Sequence, residues 1–466
     1  MTYSTQEDVD TQFKALIETQ LVKQNNGTLF NGGYEKNNSI IMDSAKGPHM
    51  HDIMGRKYID IGMGAGSMIL GHADQSVADA ISVQASKGSI FVHPSKSAFE
   101  LKENILENLP KNFNGVIFSS SGSEATMRAI RLARASSGKN GIALFSGGWH
   151  GSHDLVLAAD NYDTPESSPE TLPLSAGIPN YLQDDVLMLP YNDQEAFNLI
   201  RQHANKLALV IVEPVQGSNP RQDILPFLTQ LRKTCTENNV ILAFDEIITG
   251  YRLHLGGATS CFGILPDIIT YGKILGGGLP MGAVVFSKKI ASEVFGKNKP
   301  FFFTGGTFSA NPLTMVAGLE VLRSLKTKDY KYIDDLSEKM RHACNAFFEE
   351  NGYPMQMIGC NSISRIIFTN KFIANRRARD LYELPSNIQA IFRKLMVLNG
   401  VLHPTNGIVF LSFSHEYIDV EKIIEAIEGS VRVMHQIGCF RLGPHNQNIK
   451  VDANAMTVRN TFGHRS

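Results

Sequence analysis

The sequence predicts an α/β fold: a large domain with a mostly parallel central sheet between helices, plus a smaller α+β domain. Three observations carry this. From about residue 75 to 325, short apolar runs alternate with longer amphipathic stretches. After about residue 330 the order becomes helix, strands, helix. And 466 residues suffice for two cores rather than one. The expected division is an N-terminal segment, 1–75, packing with the small domain; a large domain, 76–325; and a C-terminal small domain with a tail, 326–466.

The N-terminal segment reads as a polar helix followed by a hairpin, Ile40–Ile61, turning at Met54–Gly55. The runs Val116–Phe118, Ile142–Phe145, Leu207–Val212, Val240–Phe244 and Ile268–Tyr271 read as buried strands. Glu124–Arg134 reads as a helix with Ala125, Ala129, Ile130, Leu132 and Ala133 inward, and Arg128, Arg131 and Arg134 outward. Asn311–Pro312 reads as an N-cap followed by proline at the first helical position, opening a helix to about Leu325. Asn161–Pro179, rich in Pro, Ser, Thr and Asn, is a long connection and a candidate lid. The tail from about Gly438 shows little periodicity.

Composition excludes several classes. Forty-four basic and 45 acidic side chains leave a net charge of −1, which offers no footprint for nucleic acid or an anionic membrane. No stretch reaches the roughly 20 apolar residues that span a bilayer. The five cysteines are scattered and odd in number, against a disulfide scaffold or a cysteine zinc site. The polar, acidic start is unlike a targeting peptide. A reducing cytoplasm is the expected location.

Lys273 is the most informative residue. It leaves the apolar run Ile268–Tyr271 in a glycine-rich turn, 28 positions after Asp245. Burial at the end of a strand pushes an amine toward the neutral form that makes Schiff bases. Asp245 ends the run Val240–Phe244, where open α/β sheets bind ligands. Alternation sends Asp245 and Ile247 to one face and Glu246 to the other. Asp245 could pair with a ring nitrogen: at about 4 Å and an effective dielectric of about 20 this gains roughly 4 kcal/mol, or about three pKa units. A helix N-cap is the alternative reading.

Ser121, Gly122 and Ser123 follow a strand and open a helix. Such a turn either presents N–H groups and hydroxyls to an anion or is simply a serine-rich cap. Trp149, the only tryptophan, can stack on a planar ligand or fill the core. His150, His153 and Asp154 could begin a metal site, but no matching ligand cluster occurs elsewhere, and no metal is expected.

Together these stretches resemble the class III aminotransferases, fold-type I enzymes that use pyridoxal 5′-phosphate, and among them the glutamate-1-semialdehyde 2,1-aminomutase branch. The matching segments include Ser121–Ala125, Trp149–Gly151, Glu213–Gly217, Phe244–Glu246 with Gly250–Arg252, Gly272–Lys273 with Gly276–Pro280, and Gly306–Ser309 with Asn311–Pro312. The resemblance implies that Lys273 holds the cofactor as a Schiff base and shuttles the substrate proton, and that Asp245 pairs with the pyridinium. Trp149 and Ile247 would cover the two ring faces. Ser121, Gly122 and Ser123 would serve the phosphate, with His150 and Glu213 also at the cofactor. Thr307 would reach the phosphate in the neighbouring subunit, making a homodimer with shared active sites.

The match departs where substrate is recognised. The branch has a carboxylate-binding arginine in its N-terminal segment, but no arginine here precedes Arg56. A glutamate expected near the last strands is missing from 403–415. Arg365 could supply a replacement charge, but it reads as an exposed strand arginine. The activity implied is transfer of an amino group between a primary amine and an aldehyde or ketone. An aminomutase is the alternative, and a catalytically silent binding module the remote one.

Overall fold

The computed structural model describes residues 4–18, 40–179 and 184–440; the tail beyond 440 lies outside them. A helix, α1 (Gln6–Glu18), opens the described chain. The expected single hairpin is instead a three-strand meander: β1 (Met42–Lys46), β2 (His49–Asp52) and β3 (Lys57–Asp60). The 53–56 turn is present, but Gly47, at φ +58°, and Pro48 make a second one. Glycine alone enters that conformation without strain.

The central sheet takes β4 (Phe113–Ser119) and β5 (Gly141–Phe145) from before a short hairpin, β6 (Ala158–Asp160) with β7 (Thr171–Pro173). It is completed by β8 (Val186–Leu189), β9 (Leu207–Val212), β10 (Ile241–Asp245), β11 (Ile268–Gly272) and β12 (Gly282–Ser287). Its order is β4-β12-β11-β10-β9-β5-β8. Only β12 runs antiparallel, to both β11 and β4. β5, β9, β10 and β11 are buried at every position, because helices cover both faces, which is why their sequences are unbroken apolar runs.

Helix α2 (Gly122–Ser137) starts at the carboxyl end of β4. Ser121 caps it, accepting from Glu124 N at 3.1 Å, and Gly138 ends it in the left-handed region. Ala125, Ala129, Ile130, Leu132 and Ala133 face inward as expected. Arg128 does not face outward: it is 3% exposed. α3 (Pro312–Leu325) begins as expected, Asn311 Oδ1 accepting from Thr314 N at 3.0 Å.

The last part holds α4 (Tyr330–Glu350), β13 (Gln356–Cys360), β14 (Ile363–Ile367), α5 (Arg376–Tyr382), α6 (Ser386–Leu398), β15 (Val401–Leu402), β16 (Ile408–Phe410) and α7 (Tyr417–Gln436). β13, β14 and β16 form an antiparallel sheet. β15 leaves it and pairs in parallel with β3. Val9 of α1 shares a core with Leu336 and Met340 of α4, Phe392 of α6 and Ile427 of α7. A second core runs under the central sheet and takes in Ile363, Ile408 and Phe410. The carboxyl edge of β5, β9 and β10 thus lies beneath the β13–β14–β16 sheet.

Candidate active site

Gly272 ends β11, and Lys273 opens a single 3-10 turn, Lys273–Gly276. Its φ is +45°, a left-handed conformation that costs a lysine about 1–2 kcal/mol. Packing holds it there. Ile274 and Leu275 are buried, and α3 lies so close that a Cβ on Gly318 would come within 2.5 Å of Leu275 O. Burial pushes the Lys273 amine down to about 8, against the opposing pull of Glu213 and Asp245. About a tenth of it is then neutral at pH 7, some 300-fold more than for an ordinary lysine.

Asp245 is 2% exposed at the carboxyl end of β10. Its Oδ2 accepts from His150 Nδ1 at 2.7 Å. Its Oδ1 accepts from Thr270 Oγ1 at 3.0 Å and Ile247 N at 3.2 Å. Facing an acceptor-only carboxylate, His150 carries its proton on Nδ1. The alternation holds for Glu246, which turns the other way to accept from Ala258 N and Thr259 N and Oγ1. Glu213 accepts from Trp149 N at 2.7 Å and Gly217 N at 3.2 Å. Burial raises its pKa, with Asp245 adding to the rise and His150 opposing it. Glu213, His150 and Asp245 therefore form one buried cluster beside Lys273.

Ile247 packs directly on the start of α2: a Cβ at residue 122 would lie 2.7 Å from Ile247 Cδ1. Ser121 spends its hydroxyl on the helix cap. Ser123 Oγ accepts from Ser152 N at 3.1 Å. Trp149 is 58% exposed, so its ring is available to a ligand. Ser121, Gly122, Ser123, Ile247, Asp245, His150 and Lys273 thus converge on one edge of the sheet.

Thr307 does not join them through any hydrogen bond among the described residues. It lies in the exposed run 303–308. Arg128 pins that run from within, donating to Phe118 O, to Gly305 O at 3.0 Å and to Ser309 Oγ at 3.2 Å. This is why Arg128 faces inward. The Asn161–Pro179 connection is also tied down, in part as β7. Arg377 of α5 donates to Tyr162 O at 2.6 Å and Thr164 O at 2.9 Å. Arg365 is not exposed as expected; it is 8% exposed in the centre of β14.

The model of the aminotransferase class-III family matches residues 32–352, more than half of the chain. The chain belongs to the class III aminotransferases. These are pyridoxal 5′-phosphate enzymes of fold type I, and the six-parallel, one-antiparallel central sheet with a smaller second sheet is that architecture. The enzyme is 35% identical over 401 residues to the glutamate-1-semialdehyde 2,1-aminomutase of Methanobrevibacter smithii, covering 84% of this chain and 92% of that protein. It superposes on an omega-transaminase from Sphaerobacter thermophilus with a TM-score of 0.83 at 29% identity, covering 91% of this chain and 97% of that one. A glutamate-1-semialdehyde aminomutase from Pseudomonas aeruginosa shares the fold, with a TM-score of 0.77 at 22% identity and coverage of 85% and 88%.

The residues present fit the cofactor. Three hydrogen bonds occupy Asp245, and a carboxylate accepts about four, so one position remains for a protonated ring nitrogen. Gly122 and Ser123 open a 16-residue helix, whose N–H groups and dipole suit a phosphate. Two supporting residues, Thr270 and Thr126, carry no clear functional signature in the sequence. Thr270 was hidden among apolar neighbours in β11, although a threonine on a fully buried strand was a signal. Thr126 donates to His150 O at 2.6 Å, and nothing in its local pattern announced this.

Proposed function

We propose that this enzyme moves an amino group between a primary amine and an aldehyde or ketone. The observation that carries the reading is the pairing of a strained, buried Lys273 amine with a pKa of about 8 and a buried, hydrogen-bonded Asp245. When bound, pyridoxal phosphate supplies a ring that withdraws the electron pair left as a proton departs from the substrate carbon. Lys273 Nζ attaches the cofactor and afterwards carries that proton as its general base and acid. Asp245 keeps the ring nitrogen protonated. His150 and Thr270 act through Asp245, orienting its carboxylate and filling its other lone pairs. Ile247 and Trp149 enclose the ring faces, and Ser121, Gly122 and Ser123 bind the phosphate. Glu213 holds the Trp149–His150 backbone in place.

A panel of primary amines, each mixed with holoenzyme in a single half-reaction, tests this. Conversion of the cofactor to its amine form, followed by absorbance, is expected with at least one donor. Borohydride reduction and peptide mapping should place the label on Lys273; a label on Lys139 or Lys288 would sink the assignment. Similarity to proteins named as glutamate-1-semialdehyde aminomutases favours a second reading, intramolecular amino transfer. Efficient formation of 5-aminolevulinate from glutamate-1-semialdehyde would promote it over the first.

The active unit is a homodimer in this reading, with Thr307 serving the partner's cofactor phosphate. Phe301, Phe303 and Phe308, 88%, 58% and 57% exposed in the single chain, support it, since a monomer rarely leaves such apolar surface in water. Five free, scattered cysteines support a reducing cytoplasm as the location. The proposed division at about 75 and 325 is supported by the change from the β1–β3 meander to the central sheet and then to the core of α4, α6 and α7.

A further inference from the structure

Arg365 has the makings of a ligand group. In β14, Ile366 packs into the core of α4, α6 and α7. Ile363 packs instead with Val215, Ile408 and Phe410 under the central sheet. Alternation puts Arg365 on the face of Ile363, the side of β14 that packs with Val215 just beyond β9. Its Nη1 donates to Asn406 O at 2.6 Å. Its Nε is buried with no partner, and its Nη2 makes no hydrogen bond among the described residues.

Among the described residues no carboxylate forms an ion pair with it. Asp380 and Glu383, the acidic groups facing it, are engaged by other arginines. Arg376 Nε lies 2.6 Å from Asp380, and Arg379 lies 2.9 Å from Asp380 and 3.2 Å from Glu383. A buried guanidinium is costly where its N–H groups lack partners; Arg252, also buried without a carboxylate partner among the described residues, instead donates to Ser362 Oγ, Leu411 O and Gly66 O. The free Nε and Nη2 form the side-on edge of the group, two parallel N–H vectors spaced for the two oxygens of a carboxylate.

Its surroundings border the cofactor site. A Cβ on Gly407 would lie 3.1 Å from Arg365 Nη2 and 3.2 Å from its Cζ, so the turn before Ile408 packs directly on the guanidinium. The next residue, Ile408, reaches Gly217, where a Cβ would lie 2.9 Å from its Cδ1. Gly217 N donates to Glu213. Arg379 donates to Ser218 O, and Arg376 lies against Gly147, just before Trp149.

We propose that Arg365 is the substrate-anion site of this enzyme, its Nε/Nη2 edge binding the carboxylate of an amine donor or acceptor. This rests on the aminotransferase reading and gives it a substrate class. The charge that is missing from the N-terminal segment is thereby supplied from β14.

Two measurements on holoenzyme test it. The first is calorimetric binding of glutarate, a carboxylate without an amine, to wild type, Arg365→Gln and Arg365→Lys. Glutarate affinity should fall about 100-fold in the glutamine variant, and less in the lysine variant, which keeps charge but not the fork. Equal binding by all three would overturn the proposal whatever the turnover. The second compares half-reaction kcat/KM for 5-aminopentanoate and pentylamine. Wild type should prefer the carboxylated amine, and Arg365→Gln should lose most of that preference. Equal losses with both amines, at unchanged cofactor absorbance, would make Arg365 structural and overturn the proposal. If no amine reacts yet glutarate binding depends on Arg365, the anion site stands and the aminotransferase reading fails. Tighter Arg365-dependent binding of inorganic phosphate than of glutarate would overturn the carboxylate assignment.

Discussion

Replacing Lys273 by methionine should stabilise the cofactor-free protein at neutral pH. The folded-state pKa is about 8, against 10.5 for the ordinary side chain. A lysine whose pKa is depressed by folding is penalised wherever it is charged in the native state. Below pH 8 both native and unfolded chains hold the proton, and the full cost of burying it is present. Between pH 8 and 10.5 the unfolded chain binds the proton and the native one does not, so stability rises with pH. At 1.36 kcal/mol per unit, the difference of about 2.5 units is worth about 3 kcal/mol at pH 7. By pH 9.5 only about 1 kcal/mol is left. The advantage of Lys273→Met over wild type should therefore shrink by about 2 kcal/mol between pH 7 and 9.5. Denaturant midpoints of both cofactor-free proteins, at one fixed protein concentration, would measure it. A constant difference across that range would refute the argument that burial dominates over the attraction of Glu213 and Asp245. It would also remove the reason for Lys273 being nucleophilic at neutral pH.

Asp245→Asn should still bind cofactor but keep less than a tenth of the wild-type rate, a cost above about 1.4 kcal/mol, because an amide cannot hold the ring nitrogen protonated; steady-state turnover checks it. Arg128→Leu should destabilise the protein by about 2–3 kcal/mol, since Phe118 O and Gly305 O lose a buried charged donor; the denaturant midpoint reads this. Thr307→Ala should weaken cofactor retention without altering the Lys273 label, and sedimentation should find a dimer, with activity falling on dilution below its dissociation constant. A fully active monomer would contradict the shared site.

Five of the seven strands of the central sheet are legible, all but β8 and the antiparallel β12, because a parallel sheet covered on both faces requires unbroken apolar runs, and β9, β10 and β11 obey that rule within a residue or two. The caps at Ser121 and Asn311 were legible because capping is chemistry among residues three apart. Lys273 and Asp245 could be picked out because a charged group at the end of a buried strand is expensive unless it is used. The sequence could not reveal what surrounds them. His150 meets Asp245 across 95 positions and β15 meets β3 across the whole large domain; no local pattern encodes either. Arg128 and Arg365 were misjudged for one reason. A long arginine at a helix or strand position reads as solvated, and only the packed structure reveals the backbone carbonyl that meets it inside, Gly305 O for Arg128 and Asn406 O for Arg365.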